Sequence, residues 1–161
     1  MRLLVTGGAG FIGSNFVHYV YEQRPEWKIV VYDALSYAGN MANLEGLDNT
    51  RYSFIHANIC DQKMIDQAVA NCDVVVHFAA ESHNDNSLVF AWPFIDSNII
   101  GTFRILEAVK KHGKRMHHIS TDEVYGDLKL TEDRKFSPVL PYCFSLHLPQ
   151  LSKFHPICLF R

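Results

Sequence analysis

No apolar run in these 161 residues approaches the roughly 20 needed to span a bilayer. The opening MRLLVTGGAG holds one Arg and a short apolar stretch before glycines intervene, too little for a secretory signal, so a cytoplasmic protein without a membrane segment is expected. Four cysteines, Cys60, Cys72, Cys143 and Cys158, form no C-x-x-C pair, which points to reduced thiols rather than a disulfide framework. Nine histidines occur in no H-E-x-x-H or paired Cys/His spacing, so no metal site is expected. Fifteen basic and 17 acidic side chains, net −2, give no electrostatic ground for binding nucleic acid.

One shortage is local. Residues 134–161, RKFSPVLPYCFSLHLPQLSKFHPICLFR, contain no acid at all, while four of the six prolines and four of the eleven phenylalanines fall there. Pro138, Pro141, Pro149 and Pro156 forbid a long helix, since each ring removes a backbone donor and clashes with the preceding turn. The apolar residues follow neither a 3.6 nor a 2 period. An irregular tail is expected.

Before the tail, strand and helix patterns alternate. RLLVT (2–6) is a short apolar run ending in a glycine-rich turn. Ile12, Phe16 and Val20 recur at helical spacing and predict a helix ending near Arg24-Pro25. KIVVY (28–32) and RYSFIH (51–56) predict the second and third strands, with a helix over 61–71 and a fourth, buried strand in DVVVHFA (73–79). Pro93 suits a first helical turn. Phe94, Ile95, Asn98, Ile99, Thr102, Phe103, Leu106 and Val109 carry that helix to a stop at Gly113. RMHHIS (115–120) is the fifth strand. Strands separated by helices imply right-handed crossovers and a parallel sheet. The fold class is α/β, a Rossmann-type parallel sheet with helices on both faces.

VTGGAGFIGSN places Gly7, Gly10 and Gly13 directly after the first strand, where the first helix opens, and Asp33 follows at the end of the second strand. Small residues admit a pyrophosphate to the backbone, and a helix N-terminus offers unpaired N–H groups and a favourable dipole. Asp33 can accept from an adenosine ribose, and its charge repels a 2′-phosphate, which favours NAD over NADP. A glycine turn of this kind also serves plain helix–sheet packing. STDEVYGD (120–127) sets Asp122 beside Glu123 at a strand end. Such a pair is either a solvated acidic loop or a reaction centre at the carboxyl edge of the sheet, where ligands of this architecture bind.

The G-x-x-G-x-x-G spacing resembles the short-chain dehydrogenase/reductase superfamily, in its extended branch acting on nucleotide sugars. DALSYAGNMANL (33–44), HFAAESHNDNSL (77–88), NIIGTFRILEAVKK (98–111) and HHISTDEVYGDL (117–128) are together similar to the dTDP-glucose 4,6-dehydratase family, over about residues 1–133. The resemblance implies NAD as cofactor, dTDP-glucose as substrate, a place in rhamnose-type deoxysugar synthesis, and homodimers for full-length members. It also implies a redox elimination. A hydride leaves hexose C4 for NAD+, the ketone acidifies the C5 proton, water departs from C6, and the hydride returns to C6. Asp122 is then the acid, Glu123 the base, and Thr121 a donor near the C4 oxygen. Adjacent like charges raise one carboxyl pKa, which keeps an acid protonated. Neighbours in a strand face opposite sides, so a bend after Ser120 is required.

The same resemblance places Gly7, Gly10, Phe11, Ile12 and Gly13 in the cofactor loop, with Ala79 and Ala80 where the cofactor approaches. Asn58 and Ile59 stand where an Asp usually faces the adenine. Ser82 and His83 fall where the family meets substrate, though NDNS (84–87) departs from its commoner Val-Asp-Arg-Ser. The superfamily's Tyr-x-x-x-Lys pair has one spacing match here, Tyr125 to Lys129, but Gly126 breaks the helix that would align them. The pattern therefore ends near Asp133, with a divergent tail over 134–161 and the substrate lobe absent. That change resembles a reading-frame shift followed by early termination, and no turnover by these 161 residues is expected. Two alternatives stay open: another extended-branch enzyme on nucleotide sugars (an epimerase or decarboxylase), or a nucleotide-binding fragment without catalysis.

Overall fold

The computed structural model describes residues 1–121. Its strands are β1 (Arg2–Thr6), β2 (Lys28–Asp33), β3 (Tyr52–His56), β4 (Val74–His77) and β5 (Arg115–His118). All pair in parallel, in the order β3-β2-β1-β4-β5. Helices α1 (Phe11–Gln23), α2 (Gln62–Ala70), α3 (Asn84–Val89), α4 (Trp92–Phe94) and α5 (Thr102–His112) connect them, with a π-helical stretch over Ile95–Gly101 running into α5. The sequence order reverses between β1 and β4, so the loops leaving those two strands flank a crevice at the carboxyl edge.

Strand alternation builds the two layers. Leu3, Val5, Ile29, Val31 and Val76 point to one face and pack with Val17 and Val20 of α1. Leu4, Val30, Tyr32 and Val75 point to the other and meet Ile65 and Val69 of α2 and Ile105 and Val109 of α5. Each central strand is apolar on both sides, as a sheet covered by helices on both faces demands. Asp61 caps α2 by accepting from Lys63 N and Met64 N, each at 3.0 Å. Gly113 closes α5 in the left-handed region at φ 62°, the predicted stop.

Two helical faces differ from the sequence expectation. In α1 the sheet takes Gly13, Val17 and Val20, while Ile12 stands 64% exposed at the helix start. In the α4–α5 run Ile105, Ala108 and Val109 pack on the sheet and Phe94 and Asn98 are also buried, whereas Ile99 and Phe103 remain exposed. That run is apolar on more than one side, so periodicity alone does not tell which side meets the sheet. Truncating Ile105 to Ala is expected to cost about 3 kcal/mol, and Phe103→Ser less than about 0.5 kcal/mol. Urea unfolding of the two variants measures the difference, and equal losses would contradict this helix orientation.

Candidate cofactor and active site

Of the motif positions Gly7, Gly10 and Gly13, two are required by the protein itself. Gly7 has φ +70°, and a Cβ there would lie 2.5 Å from Ala79 N, so the loops after β1 and β4 touch backbone to backbone. A Cβ on Gly13 would collide with the carbonyl of Gly7. Gly10 is different. Its backbone is ordinary, φ −77° and ψ 172°, and a Cβ would meet only Gly7 O at 3.4 Å and Ala38 O at 4.0 Å. Among the described residues nothing requires a glycine at that position. Gly10 is also the N-cap of α1 and contributes no side-chain cap, so the first N–H groups of the helix keep their bonding capacity. A bare helix N-terminus behind a residue kept free of a methyl group suits a pyrophosphate. Phe11 and Ile12, 82% and 64% exposed, form the lip of this cradle.

Asp33 is nearly buried, and the fold uses both its oxygens. Oδ2 accepts from Ala9 N at 2.9 Å, and Oδ1 from Leu35 N at 2.8 Å. A carboxylate accepts about four bonds, so capacity for ribose hydroxyls remains. Leu35 sits at φ 50°, a strained conformation of the kind that collects at functional sites. The following loop folds back on the glycine turn: Asn40 N and Asn43 Nδ2 both donate to Ala9 O, at 3.1 and 2.9 Å. The motif spacing raises the expectation of a ribose ligand at Asp33 and gives no sign of its role as the clamp of the loop.

The loop after β4 is held from below. His77 is fully buried, with Nδ1 2.6 Å from Thr6 Oγ1 and Nε2 3.0 Å from Thr102 Oγ1. Its ring stacks on that of His118 at 5.0 Å between centroids. Burial, and then the neighbouring His118, push the His77 pKa down to about 3. Asn98 grips the next turn, accepting from Glu81 N at 2.7 Å and donating to Glu81 O at 2.8 Å. Tyr37, from the loop after β2, crosses the crevice and packs its ring 5.8 Å from that of His83. Burial raises its pKa, as do the charge and hydrogen bond of Glu81. The contacts of Tyr37, His77 and Asn98 are not marked by any spacing rule; the sequence pattern places His77 only in the fourth strand and Asn98 only on the long helix.

The structure thus brings Gly7, Gly10, Phe11, Ile12, Gly13 and Asp33 together at one edge, and Gly7 meets Ala79 there. Ala80, Ser82 and His83 continue from Ala79 along the same rim, and His83 occupies the N-cap position of α3 without a side-chain capping bond. Asn58 and Ile59 follow β3 at that edge, Ile59 buried and Asn58 exposed. The β5 ladder ends at His118, and Ile119 N makes one further bond to His77 O at 3.1 Å. Ser120 and Thr121 have left the strand. Asp122 and Glu123 lie outside the described residues.

The sequence model of a family described as GDP-mannose 4,6 dehydratase matches residues 4–146. The chain belongs to this family. That match runs past residue 133, where the motif resemblance ends. The dTDP-glucose 4,6-dehydratase of Mycobacterium tuberculosis (strain H37Rv) is 53% identical over 142 residues, which cover 88% of this chain and 43% of that protein. DesIV, a dTDP-glucose 4,6-dehydratase of Streptomyces venezuelae solved with NAD bound, superposes with a TM-score of 0.80. It is 40% identical, over 95% of this chain and 48% of that one. UDP-glucose 4-epimerase of Thermus thermophilus, also solved with NAD, gives a TM-score of 0.76 at 25% identity, over 95% and 47% of the two chains. The chain therefore spans less than half the length of these family relatives.

Two outcomes follow from this geometry. Gly13→Ala should lose about 1–3 kcal/mol by forcing backbone apart, while Gly10→Ala loses less than about 1 kcal/mol; matched urea midpoints for the pair would refute the cradle. Acid should also weaken the fold through His77. Below pH 6.5 the unfolded chain takes up a proton that folded His77 refuses until about pH 3. Stability from this group is complete above pH 6.5 and is lost as pH falls, by about 2 kcal/mol between pH 6.5 and 5. Urea unfolding at the two pH values measures it, and His77→Gln should remove that share of the slope.

Proposed function

We propose that this chain is the NAD-binding, acid–base half of a dTDP-glucose 4,6-dehydratase, a lyase of rhamnose-type deoxysugar synthesis in the cytoplasm. Residues 1–133 form its Rossmann domain and 134–161 a divergent tail. The observation that carries this reading is the Gly10 cradle at the bare start of α1, on the sheet edge from which β5 leads to Thr121. Support comes from relatives at about half identity that bear that name.

Each residue then has a definite task. The helix start and Gly10 hold a pyrophosphate, and Asp33 accepts from the adenosine ribose, its charge disfavouring a 2′-phosphate. NAD+ held there would supply the hydride acceptor for C4 and, once reduced, the hydride donor for C6. Thr121 donates toward the C4 oxygen. Glu123 takes the C5 proton, and Asp122 gives a proton to the departing C6 hydroxyl, two tasks on neighbouring carbons that suit adjacent carboxyls. Ser82 and His83 meet the sugar nucleotide across the crevice. The one Tyr-x-x-x-Lys spacing in the sequence, Tyr125 to Lys129, is interrupted by Gly126, so these 161 residues offer no such pair to accept the C4 hydroxyl proton.

Calorimetry should therefore show NAD+ binding to the 161-residue chain without conversion of dTDP-glucose, and Gly10→Ala should weaken that binding at least about tenfold by occupying the cradle. Fusing residues 1–133 to the remainder of the Mycobacterium tuberculosis relative should restore the 4-keto-6-deoxy product. In that fusion Glu123→Gln should stop the reaction after C4 oxidation, with the 4-keto sugar accumulating. A fusion that binds NAD+ and eliminates water normally with Gln at 123 would defeat the assignment of the base.

A further inference from the structure

Tyr37 and His83 meet across the end of β1. The sheet order sets β1 between β2 and β4, so β2 and β4 run about 10 Å apart. A contact between the loops that leave those two strands must arch over the turn that leaves β1. Tyr37 comes from the first loop and His83 from the second, with ring centroids 5.8 Å apart and planes tilted by 50°. The arch has a footing on each side of the glycine turn. Ala38 O lies 4.0 Å from where a Cβ on Gly10 would stand, and Ala79 N lies 2.5 Å from where one on Gly7 would stand.

Both footings are tied down. On the β2 side Leu35 N donates to Asp33 Oδ1 at 2.8 Å, Gly39 N to Ser36 O at 3.1 Å and Asn40 N to Ala9 O at 3.1 Å. On the β4 side Asn98 holds both backbone groups of Glu81. The two rings are free to swing where the backbone is not: Tyr37 is 58% exposed, and His83 is exposed as well. Resting on the cofactor reading above, we propose that Tyr37 and His83 are the two leaves of a gate over the start of α1, and that a dinucleotide enters and leaves only when the rings part. A gate closed about 90% of the time slows entry and exit about tenfold each and leaves their ratio unchanged. A side chain that merely touches the bound dinucleotide slows exit alone.

The test is stopped-flow fluorescence of NADH binding to the whole 161-residue chain. Tyr37→Ala should raise the association and dissociation rate constants together, by about tenfold, while Kd stays within about threefold of wild type. His83→Ala should do the same. The double variant should be no faster than either single one, because one missing leaf already opens the gate. Tyr37→Phe, which keeps the ring, should fall between wild type and Tyr37→Ala. A rise in the dissociation rate alone overturns the proposal and makes Tyr37 a plain cofactor contact. Unchanged rates, or effects that add in the double variant, overturn it too, with the cofactor reading left standing. If NADH binds neither wild type nor any variant, the cofactor reading fails and this proposal fails with it.

Discussion

Two backbones lie against each other at the switch between β1 and β4, with no room for a side chain. Gly7 touches Ala79 there, and Gly13 lies under the carbonyl of Gly7. Because of that contact, the first helix starts directly above the crevice instead of beside it. Its unpaired N–H groups therefore face the space where the strands end, and a dipole that would otherwise be spent on solvent is available to a ligand. Asp33, Asn40 and Asn43 brace the same turn from the β2 side.

Beneath the crevice the sheet changes character from apolar to polar within one strand position. Leu4 and Val75 are the last fully apolar pair on the α2–α5 face. Above them Thr6, His77 and Thr102 form a buried hydroxyl–imidazole–hydroxyl column. A polar group in such surroundings costs little only while its bonds are complete. The column thus locks the relative height of β1, β4 and α5 more narrowly than apolar packing could, because packed methyl groups tolerate small slides and hydrogen bonds do not. Asn98 repeats the device one turn outward, holding both backbone groups of Glu81.

Much of this was legible in the sequence because it rests on local rules. Strands buried on both faces need no apolar–polar alternation, and the runs RLLVT, KIVVY and DVVVH were readable as such from length and flanking turns. Gly113 and the Asp61 start of α2 follow capping chemistry that acts within a few residues. The glycine loop and Asp33 carry a spacing with a mechanism. What was not legible depends on partners distant in sequence. His77 is separated from Thr6 by 71 residues and from Thr102 by 25, and no local signal distinguishes it from any other histidine ending a strand. The sides of α1 and of the π-helical stretch and α5 that meet the sheet differ from the sequence expectation at Ile12, Ile99 and Phe103 for a similar reason. Apolar residues on these helices exceed what the sheet can cover, and only the three-dimensional path decides which remain wet.

The two backbone bonds of Asp33 turn a question of charge into one of reach. Glutamate carries the same charge and the same two acceptors, and ribose hydroxyls can bind either acid. Yet with Oδ2 on Ala9 N, Oδ1 on Leu35 N, and Gly39 packed so closely that a methyl on it would lie 2.7 Å from Oδ1, one additional methylene has nowhere to go. It would lever the turn off the sheet. At this position the protein measures side-chain length as strictly as it measures sign.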